Sequence, residues 1–455
     1  MKLAALTAIV VLAAIAIVLR RWRSPAQRAD WLTYLAILAV TGLFAGYFLI
    51  VLRGAGPTDR TGDLEVYLRA AWAARQGESL YAVTDSGGWH YIYPPLLASL
   101  LVPLAEPPPG APAAASAVPH LISACLWYWL CVACLLAAVH LLATALERSR
   151  AQKPALPFSQ AWWNHRLLPL LIVLFFVFGD LRRAQPTAIV VLCLAGSAAA
   201  ILRRRSGTAG AWLGIAAALK LFPAYLLLYP LWRRDGRFLA AALAAALAAS
   251  LLPAAIMGPS SALAAYREFV SERLLGEASG GGDSAVAQEL HATNTSIQSF
   301  EFLLYDALHP DPQARALQLS PAYFAAHIAV SLALTAAVLW LMRRHCSPFG
   351  DYLFFSALAL LSIPILPVSR PHYFVIGLLA VAGLTVAQPG VDGRPWYRRA
   401  DVIAMAAFLA ASILDEARIG WALDFGAATL TGLLLAALAL VQAQASSDTS
   451  RKIRP

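Results

Sequence analysis

Long apolar runs, separated by short basic clusters and polar loops, are the feature that most constrains this chain. Residues 31–52, 238–257 and 321–342 are runs of this kind, and a helix needs about 20 such residues to cross a bilayer. Hydrophobic residues make up 60% of the sequence and charged residues 13%, whereas soluble chains have about 45–50% and about 25%. Because helices satisfy their own backbone hydrogen bonds within lipid, we predict an all-α, polytopic integral membrane protein.

The positive charges predict an orientation, since cytoplasmic loops of membrane proteins carry an excess of Lys and Arg. The 35 Lys and Arg exceed the 25 Asp and Glu, giving a net charge of +10. They fall in short clusters between apolar runs, which indicates topology rather than a nucleic-acid surface. Placing the clusters inside predicts a single transmembrane domain over 1–455 with roughly 13 membrane segments. Residues 53–111 and 258–320 become large extracytoplasmic loops, and 446–455 a disordered cytoplasmic tail.

Residues 206–232 are long enough for one helix, yet basic clusters stand at both ends and require an even number of crossings. Two half-helices that meet near Lys220 and Pro223 would satisfy both conditions, because proline breaks a helix. A single crossing with one misplaced loop is the alternative. A lysine within an apolar stretch is costly and marks a functional site by default. Lys220 could bind a lipid-linked phosphate, or its ammonium could extend to the membrane interface.

The first large loop contains Asp63 and Glu65 just beyond an apolar run. A carboxylate outside the bilayer can act as general base on an acceptor hydroxyl, or it can bind a divalent cation. Acids are also ordinary residues of a solvated loop, so the pair alone is a weak signal. The spacing of 63–76 predicts an interfacial helix with Arg69 outside its apolar face. That face consists of Leu64, Tyr67, Leu68, Ala71 and Trp72. Residues 94–104 predict a short interfacial or re-entrant helix.

Further candidates stand on other predicted outer segments. Arg182, Arg183 and Arg370 could bind phosphate, which suits the fork of donors on a guanidinium group, or they could be solvated charges. His372 could carry a proton or contact a sugar, although a lone interfacial histidine is more often simply hydrogen-bonded. Tyr93 could stack on a sugar or belong to the aromatic belt at the interface.

Asn294 begins an Asn-Thr-Ser sequence that fits a glycosylation acceptor, a sugar contact or a loop cap. The sequence has no P-loop, no glycine-rich dinucleotide turn, no H-E-x-x-H and no metal cluster. These absences argue against ATP-driven transport but do not exclude a secondary transporter. The two large outer loops, with acids at the surface rather than in mid-membrane, favour an enzyme.

A series of short motifs runs through residues 63–372 in a fixed order. They are Asp63-x-x-x-Tyr67, Gly77-x-x-Leu80-Tyr81, Tyr93-Pro94-Pro95-Leu96, Gln185, Ala209-Gly210 followed by Lys220-x-x-Pro223, Asn294-x-Ser296 and Pro367-x-Ser369-x-x-His372. The series resembles glycosyltransferase family 87, an alpha-mannosyltransferase-like group of bacterial GT-C polyprenyl-phosphate-dependent glycosyltransferases. The family's usual Gly-Gln is Ala184-Gln185 here, and the aromatic that often follows its Pro-x-Ser is Arg370.

The resemblance implies a GT-C-like fold and an inverting transfer of a sugar from a polyprenyl-phosphate donor, with mannose first and arabinofuranose second. It makes Asp63 the base, adds His372 as a catalytic candidate, and nominates Lys220 and Arg370 to stabilise the leaving phosphate. It implies no metal and no cofactor. The expected substrate-binding residues are Glu65, Tyr67, Tyr81, Tyr93, Gln185, Lys220, Asn294, Arg370, Arg182 and Arg183.

The expected partners are a polyprenyl-phosphate sugar donor, a glycolipid or polysaccharide acceptor and the lipid bilayer, with no nucleic acid. The expected location is the bacterial inner membrane, with the active site on the extracytoplasmic side. Two alternatives stay open, namely a transporter or flippase of lipid-linked sugars and a catalytically silent scaffold. Replacing Asp63 by Asn separates them, because an enzyme loses transfer whereas a flippase keeps most of its transport.

Overall fold

The computed structural model describes residues 62–108, 118–149, 155–156, 159–271, 321–343, 347–366, 369–386, 400–417 and 427–452, together with 42, 44 and 46. These residues are helical apart from loops and one antiparallel bridge between Thr84 and His90, which confirms the all-α prediction for this part of the chain. The helices are α1 (Leu64–Gln76), α2 (Pro95–Leu100), α3 (His120–Ser149), α4 (Gln160–Ile172), α5 (Leu174–Arg182), α6 (Thr187–Leu202), α7 (Ser206–Leu219), α8 (Leu228–Arg233), α9 (Gly236–Met257), α10 (Pro259–Glu268), α11 (Pro321–Leu341), α12 (Pro348–Ile365), α13 (Leu378–Val386), α14 (Ala400–Glu416) and α15 (Ala427–Lys452). Short 3-10 helices occupy Val102–Leu104, Phe222–Leu227 and Pro371–Gly377.

Several of these helices have the length and composition of membrane spans. In the described part of the chain, α3, α9, α12 and the first 18 residues of α15 are long and apolar enough to cross a bilayer. Helices α4 and α5 add a fifth span if this pair, bent by 60°, crosses once. The protein is therefore a multi-pass membrane protein. The predicted spans before residue 62 lie outside the described residues, so the total of roughly 13 stays a prediction.

Helices α7 and α9 pack closely because glycines line their contact. A Cβ atom on Gly210 would lie 2.1 Å from the carbonyl oxygen of Phe238, and one on Gly214 would lie 2.2 Å from that of Ala242. Only glycine allows such an approach, and a pair of small residues four apart is typical of helix contacts in membranes. This contact fixes the direction in which α7 delivers the residues that follow it.

The chain breaks directly after α7, as the sequence predicts. Helix α7 ends at Leu219, and Lys220 has an extended backbone with φ −148° and ψ 129°. The chain resumes as a 3-10 helix from Phe222, with Pro223 in its first turn. The predicted break near Lys220 is confirmed, and the lysine lies at the break rather than inside a helix. The number of membrane crossings over 206–232 stays a prediction.

Helix α1 packs against α2, the 3-10 helix after it, and α9. It begins after Asp63 and ends at Gly77, whose left-handed backbone (φ 73°) closes the last turn. The predicted helix over 63–76 is thus confirmed, but Arg69 does not lie on a solvated side. It is buried, because its guanidinium group forms an ion pair with Glu65 at 2.5 Å and donates to the carbonyl oxygen of Thr84 at 2.7 Å.

Residues 94–104 form the predicted short helix, α2, together with the 3-10 helix that follows it. The hydroxyl of Tyr91 fixes its start, because it donates to the carbonyl oxygen of Pro94 at 2.9 Å and accepts from the amide of Ala98 at 3.0 Å. The tyrosine that precedes the helix therefore holds Tyr93 and the two prolines in one conformation.

Helix α15 continues to Lys452, well into the segment that composition predicts as a disordered tail. The polar residues there are interrupted by neither glycine nor proline before Pro455, so nothing in the sequence ends the helix that begins in the preceding apolar run. For residues 446–452 the structure thus shows helical backbone where the sequence predicts disorder.

Candidate active site

Asp63 lies at the start of α1 and is joined there to the turn between α5 and α6. Its amide donates to the carbonyl oxygen of Arg183 at 2.9 Å. The preceding residue, Gly62, has φ +89°, and a Cβ atom on it would lie 2.9 Å from the carbonyl carbon of Arg183. Both the backbone angle and the contact require glycine. A substitution at Gly62 would therefore displace the acid from the turn that it faces.

The turn that receives Asp63 is held by α3 and by its own backbone. Ala184 has a left-handed backbone (φ 53°), and its carbonyl oxygen accepts from the indole N–H of Trp127 at 2.8 Å. The amide of Gln185 donates to the carbonyl oxygen of Asp180 at 3.1 Å. The turn is thereby closed, and the buried side chain of Gln185 points towards α1.

Gln185 connects the acid to a tyrosine and to Lys220. Its side-chain Nε2 donates to Oδ2 of Asp63. Its Oε1 accepts from the hydroxyl of Tyr93 at 2.6 Å and from Nζ of Lys220 at 3.3 Å. The side-chain amide of Gln185, in the α5–α6 turn, thus joins two residues of the first loop, Asp63 and Tyr93, to Lys220 at the break after α7.

Tyr67 supplies the second hydrogen bond to the acid. Its hydroxyl donates to Oδ2 of Asp63 at 3.3 Å, and its ring meets that of Tyr93 edge to face with centroids 5.2 Å apart. Both hydrogen bonds therefore fall on Oδ2, and Oδ1 accepts none from the residues that the structure describes. Oδ1 is the oxygen on which a proton from a substrate can be received.

Burial and neighbouring charges act against each other on Asp63. Burial raises the pKa of its carboxyl group above the ordinary value, while Arg183, the hydroxyl of Tyr67 and Lys220 hold it back. The net direction is upward. A raised pKa makes a carboxylate a stronger base, which suits the abstraction of a proton from a hydroxyl group.

Lys220 is buried among aromatic rings and hydroxyl groups. It is 7% exposed, and its Nζ lies 3.4 Å from the hydroxyl oxygen of Thr187. The same atom lies 4.0 Å from the ring centroid of Tyr373 and 5.3 Å from that of Tyr93. These are cation–π distances. Within the described residues no carboxylate forms an ion pair with this ammonium group, so its charge is only partly compensated.

Three arginines and Lys220 lie close enough to His372 to interact with it electrostatically. Arg182, Arg183, Arg370 and Lys220 all act on the buried ring of His372. Burial and the two neighbouring arginines lower the pKa of Arg183, which is the expected effect of crowded like charges. Nε2 of His372 is buried and has no hydrogen-bond partner in the described part of the chain. Such a concentration of positive charge is suited to an anion such as a phosphate group.

Two predicted site residues, Glu65 and Tyr81, do not join this group. Glu65 binds Arg69 and accepts from the amide and hydroxyl of Ser86, at 3.1 Å and 2.8 Å, so its carboxylate holds the loop between Thr84 and His90. Tyr81 lies behind the site, where its hydroxyl donates to the carbonyl oxygen of Tyr93 at 3.0 Å. Asn294 lies outside the described residues.

The sequence analysis missed Asp180, Thr187 and Tyr373. The segment that contains Arg182 and Arg183 is predicted to lie outside the membrane, but α5 extends to Arg182, and Asp180 is completely buried in its last turn. The signal was present, because an acid that follows directly on an apolar run can belong to the membrane segment itself. Tyr373 stands next to His372 and could have been chosen with it, since an aromatic ring is the usual neighbour of a buried cation.

The arrangement defines a helical membrane protein with a half-buried carboxylate, hydrogen-bonded on one oxygen, beside a cluster of cations. This is the class of site that can activate a hydroxyl group next to a phosphate. The family model of glycosyltransferase family 87 matches residues 91–367. The chain belongs to this family, which confirms the resemblance found in its motifs, and it is a glycosyltransferase.

A curated relative is 29% identical over 409 residues, which cover 84% of this chain and 82% of the relative. It is the polyprenol-phosphate-mannose-dependent alpha-(1-2)-phosphatidylinositol mannoside mannosyltransferase of Mycobacterium tuberculosis. Two solved structures of ArnT from Cupriavidus metallidurans also align over 91% of this chain at 14% identity. The apo form has a TM-score of 0.35 over 78% of its chain, and the form bound to undecaprenyl phosphate has 0.36 over 80%.

Proposed function

We propose that this protein transfers a sugar from a polyprenyl-phosphate donor to a hydroxyl group of a glycolipid or polysaccharide, with inversion at the anomeric carbon. The observation that carries the proposal is the position of Asp63, half-buried and hydrogen-bonded through Oδ2, beside Lys220 and Arg183. Mannose is the first donor sugar to test, because the curated relative is named for polyprenol-phosphate mannose. Arabinofuranose is the second.

Asp63 acts as the base in this proposal. Its Oδ1 receives the proton of the acceptor hydroxyl while the oxygen attacks the anomeric carbon. A new carbon–oxygen bond forms on one face of the sugar, and the bond to the phosphate oxygen breaks on the other. Tyr67 and Gln185 keep Oδ2 occupied, so the proton is received on the other oxygen. The raised pKa of Asp63 makes its carboxylate a stronger base for this step.

The leaving group is a lipid phosphate, whose negative charge grows as the bond breaks. Lys220, Arg183 and Arg370 are the cations proposed to stabilise it, with Arg182 behind them. The buried Nε2 of His372 is available to hydrogen-bond a phosphate oxygen. Because side chains supply this positive charge, we propose that transfer needs no metal ion. Addition of EDTA to the transfer assay tests this part, and a loss of turnover that Mg²⁺ or Mn²⁺ restores would contradict it.

The proposed active site faces the extracytoplasmic side of the bacterial plasma membrane. The distribution of Lys and Arg along the chain supports this orientation. Glu78 is exposed just beyond the C-terminal end of α1 and offers a test. In intact cells, a membrane-impermeant maleimide should label the variant Glu78→Cys and leave the parent protein unlabelled. Labelling of Glu78→Cys only after the cells are opened would reverse the orientation.

The test of the proposed function is a transfer assay on purified, detergent-solubilised protein. A panel of polyprenyl-phosphate sugars is offered with a mixed glycolipid fraction, and transfer of the labelled sugar is followed. We expect turnover with polyprenyl-phosphate mannose or arabinofuranose and inverted stereochemistry in the product. A folded protein that turns over no donor in the panel would contradict the proposal. Movement of lipid-linked sugar across vesicle membranes without transfer would instead favour a flippase.

A further inference from the structure

Asp180 is a buried acid of the site region that the proposed chemistry does not use. Its side chain is 0% exposed, and neither carboxylate oxygen makes a hydrogen bond of ordinary geometry among the described residues. The hydroxyl of Thr187 and the amide of Ala188, at the start of α6, are the polar groups that act on this carboxylate. A buried carboxylate in this condition is costly unless a positive charge lies near it. Its cost therefore requires an explanation from its neighbours.

Lys220 is the cation that acts on Asp180. The electrostatic interaction between the two groups is mutual, and it is the largest that Asp180 has with any charged group. They do not form a direct ion pair. The hydroxyl of Thr187 is 3.4 Å from Nζ of Lys220 and also acts on the carboxylate of Asp180. The amide of Gln185 donates to the backbone carbonyl oxygen of Asp180 at 3.1 Å, so the acid and the turn are parts of one structure.

We propose that Asp180 is the resting counter-ion of Lys220 and a positioning residue of the active site. Lys220 is linked to Asp63 through the side chain of Gln185, and the hydroxyl of Thr187 acts on both Lys220 and Asp180. Asp180 retains Lys220 at the α6 side of the site before the donor binds. The lysine is thereby kept from forming an ion pair with Asp63, which would weaken the base and occupy its free oxygen. The proposal rests on the proposed function for its role in catalysis, but the pairing itself does not.

A double-mutant cycle tests the pairing without any assay of activity. Asp180→Asn and Lys220→Met each leave one charge in the buried cluster without its partner, whereas the double variant removes both. We expect each single variant to lower the melting temperature more than the double variant does. Additive losses in the double variant would overturn the proposal. A second cycle, of Asp63→Asn with Lys220→Met, is the comparison. If its coupling exceeded that of the Asp180 cycle, Lys220 would belong to Asp63 instead.

The pH dependence of transfer tests the effect on the base. The groups that face Asp63 are Tyr67 on its own helix, Asp85 in the loop after α1, Tyr93, Asp180, Arg183, Gln185, Lys220 and Tyr373. Asp180→Asn removes a buried negative charge from this set, so the pKa of Asp63 falls. Since the base must be deprotonated, the acidic limb of kcat/KM should move to lower pH.

Matched variants separate this effect from simple damage. Asp180→Glu keeps the charge and should restore the acidic limb to the position found for the parent protein. Glu78→Gln removes an exposed carboxylate at the far end of α1 and should leave the limb unchanged, because solvent screens its charge. A fall in rate for Asp180→Asn with an unmoved acidic limb would overturn the positioning role. If no donor is turned over at all, the proposed function fails, and the melting-temperature cycles still decide the pairing.

Discussion

Two buried clusters of polar side chains in this protein contrast in how completely their hydrogen-bonding groups are satisfied. In the first cluster, where α3 and α4 meet, the guanidinium group of Arg166 contacts four side chains. It contacts Glu147 at 2.9 Å, Thr144 at 3.1 Å and Nδ1 of His140 at 3.2 Å, and it lies 4.0 Å from the ring centroid of Trp162. Glu147 also binds His165 at 3.0 Å.

The second cluster is the site around Lys220, where the contacts are longer and fewer. Among the described residues, the ammonium group has only hydroxyl, amide and aromatic neighbours, at 3.3 Å and beyond. In the same part of the chain, Asp180 makes no hydrogen bond of ordinary geometry, and Nε2 of His372 has no partner. A satisfied cluster stabilises the fold, whereas a cluster with unused capacity can bind a ligand that completes it. The difference between these two regions therefore separates a structural cluster from a functional one.

Asp63→Asn should have the largest effect on activity of the series, and it should affect only the chemical step. The amide keeps the shape of the side chain but cannot accept the proton, so kcat should fall by about 10²–10⁴-fold. Donor binding and melting temperature should change little, because the charge removed is half-buried and only partly compensated. Single-turnover transfer and a thermal melt measure the two. A variant that retains more than a tenth of the parent rate would remove Asp63 from the role of base.

Arg166→Met should have the opposite profile. Its loss leaves Glu147 buried with only His165 as a partner, and breaking a buried pair in this way costs about 3–5 kcal/mol of stability. The protein that folds should still have a near-normal kcat, since the cluster has no part in the proposed chemistry. Arg148→Met removes an exposed arginine next to Glu147 at the end of α3. It is the control and should leave the stability unchanged. Equal melting temperatures for the two variants would show that the satisfied cluster does not stabilise the fold.

The same contrast shows what the sequence could predict. Membrane class, the helix after Asp63, the break at Lys220 and the family motifs follow from local patterns, because hydropathy, proline and charge spacing act over a few residues. The burial of Asp180, Glu65 and Arg69 could not be predicted from such local patterns alone. Each depends on a partner brought near by folding, Lys220 in the first case and a mutual ion pair in the other two. Acids near a predicted loop are assigned to solvent unless that partner is known.

Arg183→Gln should alter the site by a smaller amount and in a direction that can be stated. Arg183 holds down the pKa of Asp63, so its removal raises that pKa further. Activity requires the deprotonated base, and the acidic limb of kcat/KM should therefore move to higher pH. The KM for the donor should also rise, since a cation near the phosphate is lost. Arg75→Gln, at an exposed position in the last turn of α1, should change neither.

Tyr93→Phe should have the smallest effect of the series. It removes one hydrogen bond, from the tyrosine hydroxyl to Oε1 of Gln185 at 2.6 Å, and keeps the ring near Lys220. Such a bond contributes about 0.5–1.5 kcal/mol, so kcat/KM should fall by about 2- to 12-fold. Tyr128→Phe is the matched control, because it also removes a buried hydroxyl, one that donates to the carbonyl oxygen of Phe44 at 2.7 Å.

The two tyrosine variants compare a hydroxyl bonded to a side chain of the site with a buried hydroxyl bonded to a backbone carbonyl oxygen elsewhere. If Gln185 is oriented by Tyr93, its amide can rotate once that donor is lost, and Asp63 then loses the hydrogen bond on Oδ2. Tyr93→Phe should therefore lower activity while leaving the melting temperature nearly unchanged, and Tyr128→Phe should do the reverse. A drop in melting temperature for both, with activity per folded molecule preserved in both, would show that Gln185 is held by packing and that the tyrosine hydroxyl does not position it.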